Sequence, residues 1–440
     1  LEGKIVYNTG NIPLYRAAFL VDARAKCVLM EKGGKNFHPL ILLNDALIPS
    51  IAGIGNIDFK DIIVTVDTEN GVIYEGELSS KINETIREPI NTKYNIFVNV
   101  GLSTAVREAS QTNADGIGLL RTEFTAVRTL SKLLSDKIDN QLTIKEVIDQ
   151  SNEADTIYLL SKIDNFQKLF KNDLKDTIQV ALNEFEGKEI FIRTLDIARQ
   201  FDDPMGNRGI RRCTAEGGHT IEILAQAIKE LLEERNNQDD KIGVILPLVS
   251  HYSQIKGTLD TLLSCGLSLH KQEGTSSKTD ILYGWEIEQP AAFFNNTSWL
   301  KAFSSEYGFS PDIIGIGTND LTQFTMALGR DVAAQEKIPE TRTYLEQLYD
   351  ESDFSIIKQL VEIAQQCKQV GTRVFLLGEA ASKPSIANLL FSIGIIPSVS
   401  IDKVYQLKKT AKSFEDHGNQ IDSIKDSISN ETNKYPFPTR

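Results

Sequence analysis

Eight short apolar runs recur between residues 95 and 400, with amphipathic segments between them. They are "NIFVNV" at 95, "GIGLL" at 116, "IFIRTL" at 190, "IGVILPL" at 242, "ILYGWEI" at 281, "IIGIG" at 313, "RVFLLG" at 373 and "GIIPSVS" at 394. Apolar runs of this length without polar alternation read as strands buried on both faces, and such strands belong to parallel sheets covered by helices. The intervening "TIEILAQAIKELLEE" and "SIIKQLVEIAQQCKQ" place apolar residues at three- and four-residue steps, the pattern of one-sided helices. Eight repeats of strand and helix over roughly 310 residues fit an α/β fold, the (β/α)8 TIM barrel of about 250 residues with insertions. A doubly wound open sheet is the alternative. Thr125 to Gly187, rich in Lys, Asp and Leu, reads as the insertion and is expected to form extra helices.

The chain of 440 residues exceeds one ordinary core. Residues 1–85 read as a separate unit of short strands broken by Gly, Pro and Asn, ending in "IIVTVDTENGVIYEGE", whose alternation and "ENG" turn predict a hairpin. A polar linker over 86–93 then leads into a barrel at 94–410. Residues 411–440 hold few large apolar side chains and are expected to be a weakly ordered tail. The net charge of −13 argues against general nucleic-acid binding but leaves room for a small anion held by local arginines. No apolar run approaches the ~18–20 residues of a membrane span, and no signal peptide is visible. Cys27, Cys213, Cys265 and Cys367 lack metal or redox spacing, so reduced thiols in a cytoplasmic protein are expected. The first residue is Leu1 rather than Met, which predicts a processed chain or a fragment of a longer one.

In a barrel of this kind chemistry belongs at the carboxyl ends of the strands. Those ends carry Arg121 and Glu123, Arg193 and Asp196, Glu288, Asn319 and Asp320 with Arg330 further on, and Glu379. Taken singly, each has a structural reading: the Arg–acid neighbours as rim ion pairs, Asn319-Asp320 as a helix N-cap. Taken together they predict one site for an anion and a hard cation. Mg²⁺ takes one or two carboxylates plus oxygens of a phosphorylated ligand, here Glu288 and Asp320, while arginines grip phosphate through paired donors.

The segments "ADGIGLLRTEF", "IRTLDI", "EIEQPAA" and "IGTNDLTQFTMALGRD" closely resemble the phosphoenolpyruvate-binding barrel of the phosphoenolpyruvate-utilising enzymes: phosphoenolpyruvate synthase, pyruvate phosphate dikinase and enzyme I of the sugar phosphotransferase system. "DPMGNRGIRR" resembles a shortened form of another motif of that barrel. Upstream, "KGGKNFHPLILLNDALIPSIAGIGN" resembles the family's phosphohistidine segment, with His38 at the acceptor position, so residues 1–85 would be the small swivelling β/α phosphohistidine domain. The resemblance implies Mg²⁺-dependent transfer of a phosphoryl group between phosphoenolpyruvate or pyruvate and His38. Arg121, Arg193 and Arg330 would hold the substrate, Asn319 would orient it, and Glu288 and Asp320 would bind the metal; Arg208 or Arg211 would add positive charge. It also implies an ATP-grasp domain or a phosphocarrier as partner, and a homodimer formed through the barrel.

Three positions depart from the family pattern. Leu377 stands where the proton-donating Cys precedes Gly-Glu, "IARQFDDP" lacks the Gly-Gly-Asp-Lys loop, and Phe37 replaces a small hydroxyl residue before His38. Loss of a general acid costs a factor of ~10² to 10⁴ in rate. The readings left open are therefore a slowed or rerouted phosphotransferase, a catalytically inactive homologue that binds phosphoenolpyruvate or pyruvate, and a lyase that captures a pyruvate enolate.

Overall fold

The computed structural model describes residues 2–10, 12, 14–32, 38–46, 48–59, 62–68, 70–78, 88–135, 157, 164–197, 208–215, 219–235, 237, 239–269, 277–329, 332, 336 and 338–417. In the amino-terminal unit, β1 (Ile5–Asn8), β2 (Cys27–Met30) and β3 (Ser50–Ala52) form a parallel sheet. Its helices are Leu14–Asp22 and His38–Asp45. The hairpin is present as β4 (Val64–Asp67) and β5 (Val72–Glu75), antiparallel, with Asp67 Oδ1 accepting the Asn70 N–H at 3.0 Å to close the turn.

All eight apolar runs become strands of one closed parallel barrel. These are β6 (Phe97–Val100), β7 (Gly116–Arg121), β8 (Glu189–Arg193), β9 (Lys241–Leu246), β11 (Asp280–Ile287), β12 (Ile313–Ile316), β13 (Arg373–Leu376) and β14 (Ile395–Val399). Each pairs in parallel with the next, and pairings of β9 with β11 and of β14 with β6 close the ring. The two-residue β10 (Ser268–Leu269) only extends the edge of β11. The open sheet is thereby excluded.

Strand alternation sorts the side chains. Phe97, Leu119, Phe191, Ile245, Leu282, Ile313, Phe375 and Leu377 point into the lumen and fill it as a separate apolar plug. Their sequence neighbours, such as Val98, Leu120, Ile192 and Leu246, pack outward against the helices. The lumen is thus solid beneath its carboxyl-end rim.

The insertion contributes the end of helix Glu123–Ser135 and the long helix Asp164–Glu184, which pack against one another. Helix Leu14–Asp22 of the amino-terminal unit also packs on Glu123–Ser135, so the apolar core runs unbroken between the two units. The carboxyl-terminal boundary needs correction: the last helix, Ile401–His417, continues seven residues beyond 410. Ala411 on it is fully buried, and Phe414 packs edge-on to Tyr94 and tilted against Phe391, at 5.6 and 5.7 Å between ring centres. Those contacts bind the start of the expected tail to the barrel; residues 418–440 lie outside the described ones. Among the described residues no helix is long and apolar enough to cross a membrane.

Candidate active site at the carboxyl end of the barrel

The lumen-facing parity that buries Phe191 also places Arg193 on the rim, where Arg121 of β7 is its neighbour in register. Arg193 is the hub of one carboxylate cluster. Its Nη2 pairs with Glu123 and lies 3.7 Å from Asp196, while Nη1 lies 3.7 Å from Glu286. Arg208 is the hub of a second. Its Nε and Nη2 donate to the two oxygens of Asp196 at 3.0 and 2.7 Å, and its Nη1 donates to Asp320 at 3.1 Å. Asp196 therefore joins the clusters, and Arg208 ties the loop after β8 to the helix after β12.

Glu288, one residue past β11, accepts the Leu248 N–H at 2.7 Å. Leu248 has a left-handed backbone (φ +52°), a conformation that costs a bulky residue roughly 1–2 kcal/mol. The strain is held from both sides, because Gln289 Nε2 donates to the Leu248 carbonyl at 3.0 Å. On the opposite side Gly317 makes room: a Cβ there would sit 2.5 Å from Glu288 Oε1. The glycine before Asn319 thus serves the close approach of a protein carboxylate.

Helix Thr318–Met326 starts from Gly317, which caps it without any side-chain bond. The N-cap reading of Asn319-Asp320 is corrected accordingly. Asp320 lies in the first helical turn and turns to Arg208 instead. Asn319 Oδ1 is buried with no hydrogen-bond partner, and the Asn319 carbonyl accepts the Tyr349 hydroxyl at 2.7 Å. Glu351 braces the same turn, accepting from Thr318 Oγ1 at 2.6 Å and from the Ala380 N–H at 3.1 Å.

Five buried acids (Glu123, Asp196, Glu286, Glu288, Asp320) therefore surround Arg193 and Arg208. Burial raises the Glu123 carboxyl above its ordinary range against the pull of Arg193. Burial likewise pushes Glu286 up to about 7, opposed by Arg193 and by a hydrogen bond with Glu288. Glu288 is raised well above the ordinary range by burial and then by the negative charges of Glu286 and Asp320. Burial alone would lower both guanidinium groups, but the surrounding carboxylates outweigh it and hold both above the ordinary value. A cation would relieve this crowding of acids. Among the described residues no three His, Cys, Asp or Glu side chains are grouped to hold a metal by themselves.

The expected residues fall in three groups. Arg193, Glu288 and Asp320 meet through the clusters above, with Asn319 beside Asp320; Arg121 shares the rim, partly exposed. His38 opens helix His38–Asp45, but its side chain lies outside the described residues, as do Arg330 and Phe37. Leu377 belongs to the apolar plug, and its carbonyl accepts from Asn99 Nδ2 at 3.2 Å. Cys213, closest in sequence to Arg208, is fully buried, and its Sγ donates to the Leu195 carbonyl at 3.3 Å. Sequence reasoning missed Glu286 as a rim residue and gave Arg208 only a minor part. Strand parity carries the signal for Glu286, since residues 286 and 288 share the lumen face of "GWEIE".

Residues 79–415 match the family model described as PEP-utilising enzyme, PEP-binding domain. The probable phosphoenolpyruvate synthase of Archaeoglobus fulgidus is 28% identical over 436 residues, covering 94% of this chain and 50% of that protein. The phosphoenolpyruvate synthase of Pyrococcus furiosus is 28% identical, covering 90% of this chain and 45% of its own length. A phosphoenolpyruvate-protein phosphotransferase of Haloferax volcanii is 22% identical, covering 82% of this chain and 59% of its own length. The chain thus spans about half the length of the curated relatives it matches.

Proposed function

Because the chain belongs to the PEP-utilising enzymes through their PEP-binding domain, we propose that it moves a phosphoryl group between phosphoenolpyruvate or pyruvate and His38, with Mg²⁺ as cofactor. The observation that carries this reading is Arg208, which bridges Asp196 and Asp320 beside Glu288 and so gathers anion-binding and cation-binding groups at one rim. Glu288 and Asp320 would hold the cation, which supplies charge neutralisation at the phosphate. Arg121, Arg193 and Arg208 would receive the phosphate and carboxylate of the ligand, with Arg330 as a further candidate. Asn319 would orient the ligand by donating to it from its side-chain amide N–H. His38 would attack phosphorus, forming an N–P bond as the enol O–P bond breaks and leaving pyruvate enolate. Phosphoryl transfer rests mostly on positioning and charge, which these residues supply.

Leu377 has no exchangeable proton, so the enolate would take its proton from solvent, at a cost of ~10² to 10⁴ in rate. The same leucine favours a second reading, a homologue that binds phosphoenolpyruvate or pyruvate without turnover. A homodimer and a phosphate-handling partner, either an ATP-grasp domain or a phosphocarrier, belong to the proposal as well. Labelled phosphoenolpyruvate with Mg²⁺, compared between wild type and His38→Ala, is the test. Label on the protein that disappears in the variant supports transfer. Tight Mg²⁺-dependent binding by calorimetry without label supports the silent homologue, and neither signal would end both readings.

A further inference from the structure

Glu286 takes no part in that phosphoryl transfer, yet it is among the most confined charged groups in the molecule. It sits on β11 two residues below Glu288 on the same lumen face, 1% exposed. Its Oε2 is 3.7 Å from Arg193 Nη1, and its Oε1 is buried without a hydrogen-bond partner. Below it the lumen is full. A Cβ added at Gly315, its partner in register on β12, would meet Leu377 Cδ1 at 2.7 Å, Ile245 Cδ1 at 2.8 Å and Glu286 Cγ at 3.1 Å. The carboxylate therefore has an apolar floor and stays level with the guanidinium. On its other side Arg193 is already engaged by Glu123 and approached by Asp196, so three acids share one cation.

An anion that enters to bind Arg193 meets a guanidinium already shared by three acids, one of them Glu286 from inside the barrel. The repulsion grows with the charge on the ligand. A phosphate ester carries close to two negative charges in addition to its carboxylate near neutral pH, whereas a 2-oxo acid carries one. In a medium of effective dielectric near 20, one fixed charge at ~6–8 Å changes affinity by about tenfold or more for each ligand charge.

Resting on the reading of this rim as a phosphoenolpyruvate or pyruvate site, we propose that Glu286 is a specificity-determining residue that lowers affinity for phosphate-bearing ligands relative to singly charged 2-oxo acids. It selects by repulsion, holding Arg193 back from a second anionic group. The floor of Leu377 and Ile245 makes that repulsion fixed, because the carboxylate has nowhere to retreat.

The test uses the full chain with Mg²⁺ at pH 8.5, above the value of about 7 to which burial pushes Glu286, with calorimetric titration of three probes: phosphoenolpyruvate, pyruvate and inorganic phosphate. Glu286→Gln removes the charge at nearly constant shape, and Glu286→Asp keeps it. Melting curves precede the titrations, and Glu286→Met replaces the Gln variant if that one does not melt cooperatively. The expected result is a Kd ratio of phosphoenolpyruvate to pyruvate that falls by about tenfold or more in Glu286→Gln and stays near wild type in Glu286→Asp. An unchanged ratio in Glu286→Gln, or the same change in both variants, overturns the proposal. If no form of the protein binds phosphoenolpyruvate or pyruvate, the functional reading fails on its own. Inorganic phosphate then decides the role of Glu286: tighter binding in Glu286→Gln alone upholds it, and equal binding in all forms overturns it.

Discussion

Gly317→Ala and Gly257→Ala are the same chemical change with opposite expected consequences. Gly257 lies inside helix Tyr252–Ser264, and a Cβ there meets nothing within 4 Å. Alanine at 257 should stabilise the protein by about 0.5–1 kcal/mol, through lower backbone entropy in the unfolded chain and better helix propensity. At Gly317 the added Cβ would lie 2.5 Å from Glu288 Oε1, 2.7 Å from Cγ and 3.0 Å from Cδ. Relief requires the Glu288 side chain to move by most of an ångström, which breaks its 2.7 Å bond to the Leu248 N–H. Overpacking of this kind costs about 1–3 kcal/mol. A lost hydrogen bond to a buried charged group adds roughly 1.5–3 kcal/mol, so the sum lies near 3–5 kcal/mol, less whatever the rim recovers by relaxing. Leu248 would also lose one of the two contacts that hold its left-handed backbone. Denaturant unfolding of both variants reads the stability difference, and Mg²⁺ titration by calorimetry reads the site. Gly317→Ala should unfold more easily and bind Mg²⁺ at least tenfold more weakly, by loss of one charged ligand's position. A Gly317→Ala protein with wild-type stability and wild-type Mg²⁺ affinity would refute the close packing of Glu288 against Gly317.

Leu377→Cys restores an ionisable proton at the edge of the lumen plug, so pyruvate formation from phosphoenolpyruvate should rise in a coupled assay; no gain would mean that protonation does not limit turnover. Burial pushes the Cys27 thiol up to about 11 and the Cys367 thiol up to about 12. Since the thiolate is the reactive form, native alkylation at pH 8 should spare both and mark Cys265, the one partly exposed cysteine, first by mass spectrometry. Labelling should reach Cys27 and Cys367 only as pH rises toward those values or the protein unfolds. Asp196→Asn weakens the paired bonds of Arg208 while Asp320 remains, and should lower stability by roughly 1–3 kcal/mol in urea unfolding.

The strands were legible because a parallel barrel buries both faces of each strand, which leaves a short, largely apolar run at all eight places. The rim position of Arg193 and Glu288 was legible for a related reason, since each stands where such a run ends, and Asp320 follows four residues after the end of another. Glu286 was hidden inside the run "ILYGWEI", where an acid flanked by Trp285 and Ile287 reads as part of the core until its parity is counted. The place of Arg208 comes from long-range pairing with Asp320, 112 residues away, which no local pattern encodes. The N-cap expectation at Asn319-Asp320 failed because Arg208 offers Asp320 a full charge in place of a backbone dipole, and Gly317 starts the helix alone. The last helix outran its expected boundary through single contacts, Ala411 and Phe414 against Tyr94 and Phe391, too sparse to stand out in a polar stretch.

The most direct measurement is anomalous scattering from crystals of the full chain soaked with Mn²⁺ and phosphoenolpyruvate. One strong peak is expected within about 2.0–2.3 Å of carboxylate oxygens of both Glu288 and Asp320, with the ligand phosphate on the same ion and facing Arg193 and Arg208. A peak elsewhere, or an ion that touches only one of the two carboxylates, would contradict a shared cation site at this rim.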